Sequence, residues 1–422
     1  MSLAYIVSMF PCWSETFILN ELVNHRKAGV NVTIFSLKKC SESMVHEEAK
    51  TFLTQTTYAS GFFNPLLWLS HLWLLLTSPM TYLKILFTLV LANFTDSSVK
   101  LKALAVFCLA PLFIATTKNN KITHLHAHFA TYPALLAWII HQFTGIPFTF
   151  TAHAHDIYYN QDILALIAAD AAAMVTISEF NKRFICQKVG EQHGGKIHVI
   201  HCGIDLTRFT YDTERTFNQA DDHPLSILSI GRLSGIKGFT YLIEALRLLK
   251  NDGVPFTCNI IGDGPLKPKL QQQVNESGLA EQINFLGSKK SDEIPAYLKK
   301  SDVFVLACAT DKIEIHDGIP VVFMEAMAYG VPVIGTRLSG IPELIHHKET
   351  GLCAEPENPE SICNEIEYFY FNQHHVESMR VKARSLVEQE YNIAYTSHYL
   401  RQLFDQPNQR HLWSVQKQDF CL

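Results

Sequence analysis

The 422-residue sequence lacks the marks of several protein classes. Its ten cysteines include no C-x-x-C pair and follow no regular spacing, which is typical of free thiols in a reducing compartment. The formal net charge is −5, so the composition gives no support for nucleic-acid binding. No basic segment precedes the first apolar run, so we expect no signal peptide and a cytoplasmic location.

What the sequence does contain is a pattern of alternating strands and helices. The hydrophobic content of 48% and the charged content of 18% predict a globular chain with a large core, and the length indicates two or three domains. Strand-like runs, beginning with Leu3–Met9 and Val30–Leu37, alternate with helical segments through the first half of the chain. This alternation predicts an open parallel sheet covered on both faces. The polar stretch 205–223 is the candidate linker to a second sheet, with strands expected at 226–230, 257–261, 283–286 and 303–307.

An apolar insertion at 62–115 departs from the average composition. No run in it reaches the roughly 18 residues that indicate a membrane span, and residues such as Pro79, Lys84 and Pro111 interrupt it. It therefore predicts helices that either pack on the core or lie in a membrane interface. In the second case the protein would associate peripherally with the cytoplasmic face of the inner membrane.

The stretch His316–Thr336, HDGIPVVFMEAMAYGVPVIGT, predicts a helix between two strands. Pro320 suits the first turn of this helix, because a first-turn residue needs no donor N–H, and Gly330 suits its end. Apolar runs at 303–306 and 331–334 flank the helix, so the unit is typical of the crossover in a parallel sheet.

The charges within this stretch indicate a ligand. Glu325 is the only charged residue between Asp317 and Arg337. A carboxylate among apolar side chains needs hydrogen-bond donors, and ribose hydroxyl groups are donors of this kind. The N–H groups from Gly318 onward would favour a phosphate. The alternative is a buried crossover in which Glu325 pairs with an arginine.

Two further loops follow predicted strands of the second sheet. In GRLSGIKG, Arg232 and Lys237 could clamp a diphosphate, although both could also be solvated surface charges. Gly262 and Gly264 end the next strand, and Pro265 departs from the dinucleotide fingerprint. The position of this loop still fits the lining of a nucleotide site.

Two histidine pairs fall near the carboxyl ends of predicted strands, where open α/β sheets bind ligands. His126 and His128 are two residues apart and should share one face, and His153 and His155 repeat the spacing. Only Asp156 offers another zinc-type ligand, so we predict no metal site. His153, with Asp156 close behind it, is the favoured catalytic-site residue.

The combined motifs resemble the retaining glycosyltransferases of family 4, which have the GT-B fold. GRLSGIKG, IGDGP and DGIPVVFMEAMAYGVPVIGT-x4-IPELI carry this resemblance in the second half. In the first half, FPCWSETFI, HAHF and TAHAHDIY are similar to the subgroup that builds exopolysaccharides such as colanic acid. The resemblance implies an α/β protein of two Rossmann-like, doubly wound parallel-sheet domains that face each other across a cleft.

The resemblance also implies a division into parts. An acceptor-binding domain would span 1–205 and include the insertion at 62–115, and a nucleotide-sugar-binding domain would span 206–385. A helical tail at 386–422 would pack back toward the first domain. The acceptor side would be formed by residues of the first domain: Glu15, His126, His128 and Asp156. Glu15, however, could simply suit the dipole of the first helix.

Residue by residue, the resemblance implies that Arg232 and Lys237 contact the diphosphate and that Glu325 binds the ribose. The catalytic group would be His153, beside the transferred sugar, with Asp317, Arg232 and Lys237. The donor would be bound by Gly231, Arg232, Lys237, Gly262, Gly264, Asp317, Gly318, Ile319, Pro320, Val321, Val322 and Glu325. The sequence departs from the family at Asp317, where Glu is common, and residues 10–16 replace a glycine-rich loop.

The implied reaction is transfer of a sugar, with retention at the anomeric carbon, from a UDP- or GDP-linked donor to a glycan or polyprenyl-linked acceptor. It would need no metal or other cofactor, because cations and helix N–H groups neutralise the departing diphosphate. A sugar-nucleotide epimerase or hydrolase on the same fold is one alternative. A second alternative is a non-catalytic subunit that binds a nucleotide sugar. The presence of Asp317 where the family commonly has Glu leaves this alternative open.

Overall fold

A computed structural model describes residues 1–12, 15–40, 45–159, 161–213, 224–311 and 316–406. The chain forms two compact units. Unit 1 contains residues 1–177, 181–201 and the segment from 393 onward, and unit 2 contains 178–180 and 202–392. The sequence prediction put the boundaries at 205/206 and 385/386. Parts of the predicted linker and tail, 214–223 and 407–422, lie outside the described residues.

Unit 1 is built on a seven-stranded parallel sheet with the strand order β3-β2-β1-β4-β5-β6-β7. The order runs outward in both directions from β1, which is the pattern of a doubly wound sheet. The strands are β1 (Ser2–Phe10), β2 (Asn31–Lys39), β3 (Thr56–Tyr58), β4 (His124–His128), β5 (Phe148–Ala152), β6 (Ala173–Thr176) and β7 (Ile197–Val199).

Helices connect these strands, and the two faces of the sheet have separate cores. Along β1, Leu3 and Tyr5 belong to one core, and Ala4 and Ile6 belong to the other. This is the alternation expected of a strand covered on both faces. The helices of the first part of the chain are α1 (Thr16–Lys27), α2 (Glu47–Lys50), α3 (Pro65–Thr77), α4 (Pro79–Leu91), α5 (Ser97–Asn119), α6 (Tyr132–Thr144), α7 (His155–Tyr158), α8 (Asp162–Ile167) and α9 (Glu179–Val189).

The apolar insertion forms α3, α4 and α5. Pro79 begins α4, as the break in the sequence predicted, but the expected break at Pro111 is wrong. Helix α5 runs through Pro111, whose side chain is buried, so packing outweighs the loss of one backbone donor. By length and composition alone, α5 could cross a membrane, but its most apolar window is 44% buried and core helices also meet this criterion.

Unit 2 is built on a six-stranded parallel sheet with the order β10-β9-β8-β11-β12-β13. Its strands are β8 (Leu225–Ile230), β9 (Phe256–Ile261), β10 (Ile283–Gly287), β11 (Val303–Val305), β12 (Val333–Thr336) and β13 (Leu352–Ala354). Its helices are α10 (Phe239–Asn251), α11 (Lys267–Glu276), α12 (Ile294–Lys299), α13 (Val321–Tyr329), α14 (Ile341–Leu344), α15 (Pro359–Phe371) and α16 (Val376–Glu390). The prediction of two Rossmann-like, doubly wound domains is confirmed.

The last described helix, α17 (Ile393–Asp405), belongs to unit 1 although it follows unit 2 in the chain. Leu400, Leu403 and Phe404 of α17 join the core that contains Leu3 and Tyr5 of β1. One face of the first sheet is therefore completed by residues from the far end of the chain.

Candidate active site

Helix α13 forms where the sequence predicted it. Pro320 is the N-cap residue, and the N–H of Phe323 donates to its carbonyl oxygen over 3.1 Å. Gly330 ends the helix with a φ of +85°, a conformation that a side chain would strain. The N–H groups of Val321 and Val322 lie in the first turn, where no acceptor exists within the helix. They are thus available to an anion.

Glu325 lies on α13 and is half-buried. Burial raises its pKa to about 7, and the charge of Arg208 only partly opposes this effect. The alternative of an ion pair with an arginine is not supported: Arg208 donates instead to Ser291 Oγ over 2.7 Å. Within the described parts of the chain, the Glu325 carboxylate has no hydrogen-bond or ion-pair partner. Such a group is prepared to accept hydrogen bonds from a ligand.

Asp317 and Lys237 are joined in an ion pair just before α13. Asp317 also accepts a hydrogen bond from the N–H of Gly318 over 3.2 Å. Burial is the largest single effect on the pKa of Lys237 and would lower it, but the charges of Asp317 and Cys308 and the hydrogen bond to Asp317 together raise the pKa above its ordinary value. Lys237 is therefore a cation, as diphosphate binding requires. The sequence did not predict that these two residues pair.

The glycines of the two loops allow the backbone strands to approach each other closely. Gly262 has a φ of +141°, and a Cβ on it would lie 1.9 Å from the carbonyl oxygen of Gly231. A Cβ on Gly264 would lie 2.5 Å from the carbonyl oxygen of Leu233. These loops are thus packed directly on one another at the ends of β8 and β9, and larger residues would push them apart.

Arg232 lies in the first of these loops with an exposed side chain. Among the residues that the structure describes, none forms an ion pair or a hydrogen bond with its guanidinium group. Unit 2 therefore places Lys237, paired with Asp317, close to the N-terminal end of α13. A second cation, Arg232, lies exposed in the neighbouring loop. The remaining predicted donor residues, Ile319 and Pro320, are buried and shape the turn before the helix.

In unit 1, His153 lies in the turn that follows β5, and Asp156 lies in the helix α7 that comes directly after it. Asp156 is buried and accepts hydrogen bonds from the N–H groups of Ala130 (2.7 Å) and His153 (2.9 Å). Burial raises its pKa to about 6, and these backbone donors partly oppose the increase. Asp156 thus fixes the backbone that carries His153, which argues against the predicted direct contact with an acceptor.

The two histidine pairs behave differently. His126 and His128 share one face of β4, as predicted, and their rings are 5.1 Å apart in an edge-to-face arrangement. The expectation that His155 repeats this pattern is wrong, because β5 ends at Ala152. His155 begins α7 instead, where its exposed ring stacks on Tyr159.

His126 is fully buried, and both of its ring nitrogens have partners inside the sheet. Nδ1 lies 2.8 Å from Thr149 Oγ1, and Nε2 lies 3.1 Å from Thr151 Oγ1. This arrangement is typical of a core histidine and argues against contact with an acceptor. Glu15 precedes α1, where its carbonyl oxygen accepts from the N–H of Ile18.

Sequence reasoning missed Glu21, which lies beside His128. Ligand atoms of Glu21, His126 and His128 lie within 4.8 Å of one another, a spacing that a metal ion could use. However, all four ring nitrogens of these histidines already have partners, since His128 contacts Glu21 and His153. We therefore assign no metal to this group. The sequence did contain a sign that Glu21 faces inward: it follows Phe17 and Ile18 by one helical turn, on the apolar side of α1.

Comparison with known proteins agrees with the fold. Residues 97–208 match the family described as Glycosyltransferase Family 4, and residues 210–386 match the family described as glycosyl transferases group 1. The protein HepE of Anabaena, solved in complex with UDP, superimposes with a TM-score of 0.71 at 15% identity, over 96% of this chain and all of that one. Sucrose-phosphate synthase of Thermosynechococcus elongatus gives 0.70 at 17% identity, over 96% and 98%. At these identities the likeness shows the fold alone.

The chain therefore contains, in succession, domains that match two glycosyltransferase families, and it has the GT-B fold. The putative colanic acid biosynthesis glycosyltransferase WcaL of Salmonella typhimurium is 37% identical over 198 residues, 47% of this chain and 48% of that protein. The amylovoran biosynthesis glycosyltransferase AmsK of Erwinia amylovora is 36% identical over 202 residues, 47% of this chain and 49% of that protein. The aligned region spans about half the length of these curated relatives.

Proposed function

We propose that the protein transfers a sugar from a nucleotide-diphosphate sugar to a glycan or lipid-linked acceptor in the synthesis of an exopolysaccharide or another cell-surface glycan. The observation that carries this proposal is Glu325, a half-buried carboxylate without a partner in the described chain, on a helix whose N-terminal end adjoins the Asp317–Lys237 pair. Ribose hydroxyls would donate to Glu325, and the diphosphate would lie at the N-terminal end of α13.

The chemistry follows from these charges. The bond between the anomeric carbon and the diphosphate oxygen breaks, the acceptor oxygen bonds to that carbon, and the acceptor proton leaves with the diphosphate. Lys237, Arg232 and the first N–H groups of α13 would offset the charge of the leaving group without a metal ion or other cofactor. Retention requires the acceptor to bond on the face that the diphosphate leaves, and we assign no carboxylate nucleophile.

The donor is the first point to test. Relatives differ: HepE was solved with UDP, whereas a GDP-mannose-dependent mannosyltransferase of Mycobacterium tuberculosis is 24% identical over 250 residues, 56% of this chain and 64% of that protein. A calorimetric screen of UDP- and GDP-linked sugars against the purified chain should find one that binds. The variants Lys237→Ala and Arg232→Ala should lose this binding, and the exposed Lys269→Ala is the matched control.

The acceptor distinguishes transfer from its alternatives. Incubation with the selected donor and a polyprenyl-linked glycan should yield an extended glycan, and no sugar product should appear when the acceptor is omitted. Product without an acceptor would indicate an epimerase or hydrolase. Unchanged polymer synthesis in cells that carry Lys237→Ala would indicate a binding subunit and contradict the proposed activity.

A lipid-linked acceptor fits the surface of the insertion, and we propose that this surface rests on the cytoplasmic face of the inner membrane. Helices α3 and α4 meet at an angle of 113° and expose large apolar side chains, among them Leu76 (73% exposed) and Leu91 (73%). From 62 to 121 the sequence holds five lysines and a single acidic residue, Asp96. An apolar face flanked by lysines matches an anionic lipid surface.

Flotation with liposomes that contain anionic phospholipid tests this surface. The wild-type chain should float with the lipid, and Leu76→Glu combined with Leu91→Glu should remain in the soluble fraction. The control is Val381→Glu, which changes an exposed apolar residue of unit 2 (53% exposed). A wild-type chain that stays soluble would contradict membrane binding but would leave the transfer activity untouched.

A further inference from the structure

Phe129 adopts a backbone conformation that is rare for a large side chain. It directly follows β4 and has a φ of +75°, in the left-handed region that favours glycine and asparagine. This conformation is unfavourable for a bulky residue, and residues strained in this way are concentrated at active sites and ligand-binding sites. Glycine would remove the strain at this position, so the reason for a phenylalanine has to lie in its ring.

Hydrogen bonds on both sides hold Phe129 in this conformation. Its own N–H donates to the carbonyl oxygen of Thr151 over 2.9 Å, and the N–H of Ala130 donates to Asp156 over 2.7 Å. Asp156 also accepts from the N–H of His153 over 2.9 Å. One buried carboxylate therefore fixes both the backbone after β4 and the turn after β5, so that Phe129 and His153 are held side by side.

The ring of Phe129 forms an aromatic corner with two neighbouring rings. Its centroid lies 4.9 Å from that of His153 and 6.5 Å from that of Phe17, to which it stands edge-to-face at 77°. The ring of Phe17 in turn lies 4.7 Å from that of His153. Phe17 and Phe129 both pack against the core that contains Tyr5, yet both remain half-buried. Part of each phenyl ring is thus left for a ligand.

The chemistry of this corner suits a sugar ring. The face of an aromatic ring is electrostatically negative, and the C–H hydrogens on one face of a pyranose are slightly positive, so the two faces attract each other. The hydroxyl groups lie around the edge of the sugar, where the imidazole of His153 can form a hydrogen bond with one of them. Apolar and aromatic walls with a few polar groups are typical of sites for small molecules.

We propose that Phe129, with Phe17 beside it, is a binding subsite for a sugar ring of the acceptor, whose C–H face stacks on the phenyl ring of Phe129. The assignment to the acceptor rests on the proposed function, in which unit 2 binds the nucleotide and the phosphates of the donor. The acceptor then needs a site of its own. Strands β4 and β5 end in unit 1 at the edge of the sheet where doubly wound folds bind ligands, and Phe129 follows the first of them.

Substitutions at Phe129 test the subsite in transfer assays with the selected donor and the polyprenyl-linked glycan. Phe129→Leu keeps an apolar side chain in the strained position but removes the aromatic face. KM for the acceptor should rise roughly threefold to tenfold, because stacking of this kind contributes about as much as an aromatic pair. KM for the donor should stay within about twofold. Phe129→Tyr keeps the aromatic face and should have a KM for the acceptor close to that of the wild-type chain.

Two further variants separate binding from stability. Phe129→Gly removes the strain of the left-handed position, so it should fold, and its KM for the acceptor should rise at least as much as that of Phe129→Leu. Lys348→Gly is the control, because Lys348 is an exposed residue of unit 2 with a φ of +66°. It should leave both KM values unchanged. An unaltered KM for the acceptor in Phe129→Gly, a rise in KM for the donor alone, or a Phe129→Tyr chain as impaired as Phe129→Leu would overturn the proposal.

Saturation-transfer-difference NMR tests the subsite without the transfer reaction. The probes are the methyl glycosides of glucose, galactose and mannose in both anomeric forms. The wild-type chain should transfer saturation to the C–H protons of at least one of them, Lys348→Gly should do the same, and Phe129→Gly should not. A wild-type chain that saturates none of them, or saturation that persists in Phe129→Gly, would overturn the proposal. Binding that depends on Phe129 in a chain that transfers no sugar would instead refute the proposed function and leave the subsite intact.

Discussion

Replacing Glu325 by glutamine should stabilise the protein and weaken nucleotide binding at the same time. The structure partly buries this carboxylate without giving it a partner in the described chain. Its ionised form is therefore unfavourable until a ligand supplies donors. Glutamine has nearly the same shape and no charge, so Glu325→Gln removes the cost of burial and also removes the acceptor of charge-assisted hydrogen bonds.

The size of the effect follows from the pKa. The pKa of Glu325 rises from its ordinary value of 4.5 to about 7 in the folded chain. Because one pKa unit corresponds to about 1.4 kcal/mol, the ionised form of Glu325 costs about 3 kcal/mol above pH 7. Below pH 4.5 the carboxyl is protonated in both states and the cost vanishes. The free energy of unfolding contributed by Glu325 is thus highest in acid and falls as the pH rises through about 7.

Urea unfolding of the wild-type chain and Glu325→Gln at pH 5 and pH 8 measures this difference. At pH 8 the variant should be more stable by up to about 3 kcal/mol, and at pH 5 the difference should be less than about 1 kcal/mol. Calorimetry with the selected nucleotide sugar should show weaker binding. Glu281→Gln, an exposed carboxylate of unit 2, is the control and should change neither quantity. A variant that is less stable at pH 8, or that binds as tightly as wild type, would refute the reasoning.

Three further predictions follow from the structure. Lys237→Met should lower the transfer rate by roughly 10²–10³-fold, because it removes a cation from the leaving group. Lys269→Met is the control. A rate close to wild type in Lys237→Met would contradict the assignment. Gly262→Ala should destabilise the protein by roughly 3 kcal/mol or more in urea unfolding, because its Cβ would collide with the Gly231 carbonyl. The control Gly61→Ala should leave stability unchanged, because a Cβ at Gly61 meets nothing within 4 Å. Equal effects of the two substitutions would count against the packing argument. Burial lowers the pKa of His124 to about 3, so its contribution to stability is lost as the pH falls below 6.5, by about 2 kcal/mol at pH 5. Urea unfolding at pH 7 and pH 5 should show that His124→Asn loses less stability between these two pH values than the wild-type chain. An identical loss in both chains would argue against this role of His124.

The sequence predicted those parts of the fold in which local and global preferences agree. Pro320 and Gly330 bound α13, with Pro320 at the N-cap, one position before the expected first turn, and Gly330 in the expected left-handed position. The two parallel sheets followed from the alternation of apolar runs with amphipathic segments. The rule that loops at strand ends carry ligands placed the candidate donor residues in unit 2, and their role in binding stays a prediction.

What the sequence could not predict depended on tertiary packing. Nothing in the local pattern showed that α5 would pass through Pro111, since only the surrounding core outweighs the missing donor. The alternation that paired His153 with His155 failed because β5 ends one residue before His153. The contact of Glu21 with His128 joins residues 107 positions apart, a separation that no periodicity within α1 reveals.

Helix α17 has a consequence for the order in which this protein matures. The surface that it covers, around Tyr5, His25 and His126, is translated long before Phe404 is made to pack on it. The whole of unit 2 is synthesised in between. A ribosome that stalls within that interval holds a nascent chain whose first sheet lacks the cover that Leu400, Leu403 and Phe404 give to part of one face. Maturation of the N-terminal half is therefore tied to translation of the C-terminal half.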